Sequence, residues 1–195
     1  FQAWVATQLG FDEVHCTDLD PDAASFAREH FGLENFHLGD MDDVALPENH
    51  YDFISCWHCI EHVQDMRPFL AEVYRVLKPG GVFFFATPNL GSRVYEIYRS
   101  LKFLTRSVPR IFDGIEHTDG LSPVTGRKLC ESEGFEVLDV HAFGRSGREC
   151  APPDVGTTSL WRDVMDVLRG SGSVGRLTNH FFRTKFTVHA RKPLP

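Results

Sequence analysis

The stretch Val14-His15-Cys16-Thr17-Asp18-Leu19-Asp20-Pro21 decides how the whole chain is read. Val14–Thr17 is short, apolar and β-branched at both ends, which reads as a strand. Asp18 closes it. Asp20 then stands where a helix N-cap belongs, Pro21 at the first helical position, and Asp22 where a carboxylate meets the positive end of the helix dipole. Phe26, Ala27, His30 and Phe31 fall on one helical face, and Gly32 is a C-terminal stop. A strand that ends on an acid and leads directly into a capped helix is the unit from which parallel α/β sheets are built.

The same alternation continues on both sides. Phe1–Leu9 reads as a helix tail with Trp4, Val5 and Leu9 apolar and Gly10 as its stop. Asn35–Leu38 is a second strand and Tyr51–Cys56 a buried one. Asp65 caps a further helix with Phe69, Leu70, Val73, Val76 and Leu77 as its stripe, stopped by Pro79-Gly80-Gly81. Val82–Thr87 shows no polar alternation, as expected of a strand covered on both faces. Ser92–Leu104 reads as helical. Ser122-Pro123 starts another helix, ended by Gly134, and Phe135–Phe143 is a strand. Thr158–Leu168 reads as amphipathic helix, and Phe181–Ala190 closes the chain as an alternating, antiparallel strand. The expectation is one domain over 1–195, with insertions at 90–119 and 151–179. Its fold class is α/β, a Rossmann-like, mostly parallel sheet with helices on both faces.

Composition narrows the function. The chain has 195 residues, is 42% hydrophobic and carries a formal charge of −7. The negative sign argues against a general nucleic-acid binder and against docking on an anionic membrane. The longest purely apolar run, Val82–Ala86, is far short of the about 20 residues of a transmembrane span. Five scattered cysteines do not make a secreted disulfide framework, so a reducing cytoplasm is the default localisation. Oligomeric state is left open.

Ligands in such sheets bind beyond the carboxyl ends of the strands. Asp18 there can accept hydrogen bonds from ribose hydroxyls, and Leu19 can cover an adenine face. Asp40, in Gly39-Asp40-Met41, can accept from an adenine amino group, with Met41 as a soft apolar contact. Cys56 and Trp57 end the next strand. An acid after the second strand also serves NAD(P)-dependent dehydrogenases, which is the competing enzyme class. A non-catalytic binding module is a third reading.

Taken together, VHCTDLDP (14–21), LGDMDD (38–43), YDF (51–53), IEHVQD (60–65), RVLKPGG (75–81) and TPN (87–89) resemble the motif series of class I S-adenosylmethionine (SAM)-dependent methyltransferases. The nearest subgroup holds ubiquinone-biosynthesis O-methyltransferases and other small-molecule enzymes. The resemblance implies SAM as cofactor, with Asp18 on the ribose, Asp40 and Met41 on adenine, and Cys56 and Trp57 flanking the methionine end. It implies a small-molecule acceptor, methylated at a hydroxyl oxygen. The family's first strand and glycine-rich loop are missing from this N-terminally truncated stretch, because Phe1 aligns with the helix that follows them. A hydrophobic strand, an acid and Gly-x-Gly-x-Gly are expected within about a dozen residues upstream.

His58, Glu61 and His62 share a face if their turn is helical, and His117 lies far along the chain. Some relatives bind a divalent metal through a Glu-x-x-Glu-His run plus a later His. The candidate ligands here are therefore His58, Glu61, His62 and His117, a set suited to Zn, Mn or Fe. The competing reading makes Glu61-His62 a structural turn. His62 and His117 are also the candidate general bases. Tyr95, Tyr98, Phe103 and Phe112 of the first insertion read as an apolar lid. Finally, Cys56-Trp57-His58-Cys59 is a C-x-x-C between strand and helical segment, the setting of thioredoxin-like redox motifs. The surrounding motifs do not match that fold, and the pair reads as two buried thiols.

Overall fold

The computed structural model describes residues 2–92, 120–143 and 185–195. The chain divides into two compact units, Phe1–Glu48 and Asn49–Pro195. The expected lid, the Thr158–Leu168 helix and both insertions from residue 93 onward lie outside the described residues.

The first unit holds α1 (Gln2–Gln8), β1 (Cys16–Asp18), α2 (Pro21–Phe31) and β2 (Phe36–Leu38). β1 and β2 pair in parallel, Cys16 opposite Phe36 and Asp18 opposite Leu38. α2 begins and ends where its sequence says. The Asp20 carboxylate accepts from Asp22 N–H at 2.9 Å, Pro21 is the first helical residue, and Gly32 takes the left-handed φ of +64° that a helix stop requires. Its buried face differs from the expected one. Ala24 and Ala27 are buried while Phe26 is 53% exposed. Small residues let α2 approach closely, and Phe26 lies aside, edge-on to Phe31. Leu9, the last apolar residue of the N-terminal helical stretch, is exposed.

The second unit holds β3 (Tyr51–Trp57), a 3₁₀ turn (Ile60–His62), α3 (Met66–Val76), β4 (Leu77–Pro88), α4 (Pro123–Ser132), β5 (Glu136–Phe143) and β6 (Lys185–Arg191). Its sheet runs β3-β4-β6-β5. β3 and β4 are parallel, and β6 runs antiparallel to both β4 and β5, which places the C-terminal strand as expected. Phe83 and Phe85, both fully buried, point to one face with Phe186 and Val188. α3 covers that face through Phe69 against Phe83. α4 covers it at Gly126, where an added Cβ would lie 2.9 Å from Phe186 Cε2. Asp65 caps α3 and Ser122 caps α4, the latter in a capping box with Thr125.

Two expectations are corrected here. α3 ends at Val76, not at Pro79-Gly80-Gly81, because Leu77–Gly81 enter the sheet. Leu77 pairs with Tyr51, while Gly80 N–H and Gly81 C=O bond Lys192. The carbonyls that α3 leaves behind are met by the buried Lys192 amine, which donates to Tyr74 O at 2.8 Å and Leu77 O at 2.9 Å. β3 is also less buried than its apolar run suggested. Phe53 and Trp57 are 46% and 45% exposed, on the face opposite to the one that α3 and α4 cover. Among the described residues β3 has a strand partner, β4, on one side only.

Candidate functional site

Parallel pairing of β1 with β2 brings the two acids picked from the sequence to the same end of one strand pair. Asp18 closes β1, and its carbonyl accepts from Gly39 N–H at 3.0 Å, one residue before Asp40. Gly39 sits at φ +139°, a conformation that favours glycine. The Asp40 carbonyl then accepts from Asp43 and Val44 N–H, closing the turn. Both side chains are exposed. Asp18 Oδ1 takes the Asp20 N–H at 3.1 Å, which orients the carboxylate beyond the strand end. That is a carboxylate a ribose can reach. Leu19 is 65% exposed beside it, whereas Met41 is buried at 8% and packs inside the unit.

In the second unit, Cys56 and Trp57 end β3. Trp57 is half-exposed and packs on Phe84, ring centroids 5.0 Å apart. Cys56 turns into the core, on the side of Phe85. Its thiol is held well above the ordinary range, first by donating to the Cys59 sulfur and then by burial. Cys59 is exposed, so the pair is not the two buried thiols expected. In α4, burial pushes the Cys130 thiol up to about 12.

The His-rich turn is built around Glu61, a carboxylate only 3% exposed. Thr87, of the Thr-Pro-Asn motif, donates to Glu61 Oε2 at 2.9 Å, and His58 Nδ1 lies 3.1 Å from Oε1. His58 Nε2 in turn lies 3.0 Å from Lys185 Nζ. An ammonium there donates to Nε2, so Nδ1 carries the proton toward Glu61. His58 reaches this position at φ +51°, a left-handed conformation uncommon outside glycine, and its N–H bonds Ala86 O. Both Glu61 oxygens are thus engaged by protein donors, the behaviour of a structural turn. Sequence spacing could not show that Thr87 and Lys185 complete it. No group of three metal-ligating side chains is assembled among the described residues, and His117 lies outside them. Among the described residues Glu61 is engaged by Thr87 and His58, and no step is assigned to a metal. His62 is exposed on the turn.

Residues 1–85 match the family model described as a methyltransferase domain. The chain is similar to S-adenosylmethionine-dependent methyltransferases. It is 30% identical over 122 residues to a probable S-adenosylmethionine-dependent methyltransferase of Mycolicibacterium smegmatis, covering 63% of this chain and 43% of that one. It is 24% identical to a ubiquinone biosynthesis O-methyltransferase of Neisseria meningitidis serogroup C, covering 71% and 62%. A crystal structure of a SAM-dependent methyltransferase from Archaeoglobus fulgidus superposes with a TM-score of 0.65 at 19% identity, over 96% of this chain and 79% of that one, a likeness of fold. The chain spans about half the length of the curated relatives it matches. These likenesses are to methyltransferases and not to dehydrogenases, and the α/β fold and the resemblance drawn from the motifs both stand. No helix among the described residues is long and apolar enough to cross a membrane.

Proposed function

We propose that the protein transfers a methyl group from SAM to a small-molecule acceptor, at a hydroxyl oxygen. The observation that carries the cofactor half is the exposed Asp18 carboxylate, aimed beyond β1 and joined through Gly39 to the turn that bears Asp40. An oriented carboxylate accepts both ribose hydroxyls at little entropic cost. Asp40 takes the adenine amino group, and Leu19 covers the ring. Met41, buried as it is, supports that turn from within. The oxygen preference is supported by the O-methyltransferase among the relatives.

SAM supplies an activated methyl carbon and a sulfonium leaving group, so the protein mainly aligns reactants. The acceptor hydroxyl must lose its proton as its oxygen gains the methyl. His62, exposed on the turn, is the base assigned to that step.

Calorimetry on the full-length protein tests the site. Asp18→Ala is expected to weaken SAM binding at least about tenfold, the worth of one charge-assisted hydrogen bond. Unchanged affinity would sink the assignment. Isotope-labelled SAM with a panel of phenols, amines and activated-methylene acceptors then reads the atom methylated, and labelled amine or carbon products alone would overturn the oxygen preference.

A further inference from the structure

The turn after β3 closes on a pair of thiols that methyl transfer leaves unused. β3 ends at Trp57, and the left-handed residue His58 folds the chain back on itself. Its N–H bond to Ala86 O and its ring contacts with Glu61 and Lys185 hold the fold-back in place. Cys59 is thereby set against Cys56, the two sulfurs in hydrogen-bond contact. Their surroundings differ. Cys56 is 5% exposed and its sulfur also accepts the Ile60 N–H, whereas Cys59 is exposed. One reachable sulfur touching one sheltered sulfur is how an attacking and a resolving cysteine are arranged.

We propose that Cys56 and Cys59 are a redox modification site, converted reversibly to a disulfide by hydroperoxides. The Cys59 sulfur attacks one peroxide oxygen. An S–O bond forms, the O–O bond breaks, and the departing oxygen leaves as water or an alcohol with the proton from Cys59. Cys59 is now a sulfenic acid. The Cys56 sulfur attacks the Cys59 sulfur, the S–S bond forms, and hydroxide leaves as water with the Cys56 proton. The two electrons lost by the thiols end on the reduced peroxide. A dithiol returns them by exchange. The link staples the turn from which His58 reaches Glu61 and Lys185. Nothing in this chemistry depends on the methyl-transfer reading.

The test uses the reduced full chain and equimolar hydrogen peroxide. Intact mass is expected to fall by two hydrogens, peptide mapping to show Cys56 joined to Cys59, and dithiothreitol to restore both. Cys16 and Cys130 should stay reduced. In Cys56→Ser, dimedone should capture a sulfenic acid on Cys59. A wild-type protein in which Cys59 passes to sulfinic acid without linking, pairs with another cysteine or does not react would overturn the proposal. These readouts come from the wild type, so they hold even if the variant folds poorly. SAM affinity measured on the same samples reports the cofactor site separately.

Discussion

Thr87 Oγ1 donates to Glu61 Oε2 at 2.9 Å, tying the end of β4 to the turn that follows β3. Thr87 is 1% exposed and Glu61 3%, so neither group has water as an alternative. Thr87→Val keeps the shape and removes the donor. It is expected to cost about 1–3 kcal/mol, because a buried carboxylate oxygen loses its partner. Urea denaturation of wild type, Thr87→Val and Thr87→Ser checks this. Equal stability of the valine variant would show that the bond contributes nothing.

Lys192 performs a similar service at the end of α3. Its amine donates to Asn49 Oδ1 at 2.7 Å as well as to the Tyr74 and Leu77 carbonyls, and it lies 4.7 Å from the Tyr74 ring centroid. A cation over the carboxyl end of a helix is also favoured by the helix dipole. Lys192→Met fills the same space but abandons three acceptors. A loss of at least about 2 kcal/mol is expected in the same denaturation assay.

Gly126 sets two effects against each other. Alanine is the better helix former by about 1 kcal/mol. Its Cβ, however, would stand 2.9 Å from Cε2 and 3.1 Å from Cζ of Phe186, a fully buried ring also packed on Phe85. Overpacking of this kind costs about 1–3 kcal/mol, so packing wins and Gly126→Ala is expected to lower Tm. Phe186→Leu should recover part of that loss in a double-mutant cycle. Simple additivity of the two changes would show that the contact is not the cause.

In the first unit, His15 and His37 stack with Nδ1 and Nε2 3.0 Å apart, and Glu13 holds His15 from the other side at 2.8 Å. Burial first, and His15 second, holds the His37 imidazole below its ordinary 6.5. The native state then binds fewer protons than the unfolded chain just below that value. Stability should therefore fall as pH drops through 6.5 toward the lower native value. Melting curves across this window are expected to be steeper for wild type than for His37→Asn. Parallel curves would mean that His37 does not contribute.

Most helix starts and the strand alternation were readable locally, because caps and turn residues act over three or four positions. Asp20-Pro21 and Gly32 bound α2 as read, and Asp65 and Ser122 cap the helices assigned to them. The strand-end acids Asp18 and Asp40 were readable for the same reason, since strand ends follow from strand limits. What failed was anything set by partners distant in the chain. The end of α3 moved because Leu77–Gly81 pair with β3 and Lys192. Phe26 stays out because α2 packs through alanines. Sequence spacing did not show that Thr87 and His58 engage the Glu61 oxygens, or that the cysteines separate into one sheltered and one exposed.

By itself, then, the sequence determined the α/β class, the resemblance to methyltransferases and the acid at the end of β1, all of which rest on spacings within a few residues. Only the tertiary structure decided what Glu61, Lys192 and the Cys56–Cys59 pair do. A buried polar group takes its role from the donors and acceptors that reach it. For Glu61 and Lys192 those arrive from elements 26 and 143 residues away, and for the thiols they follow from a single left-handed residue in the turn.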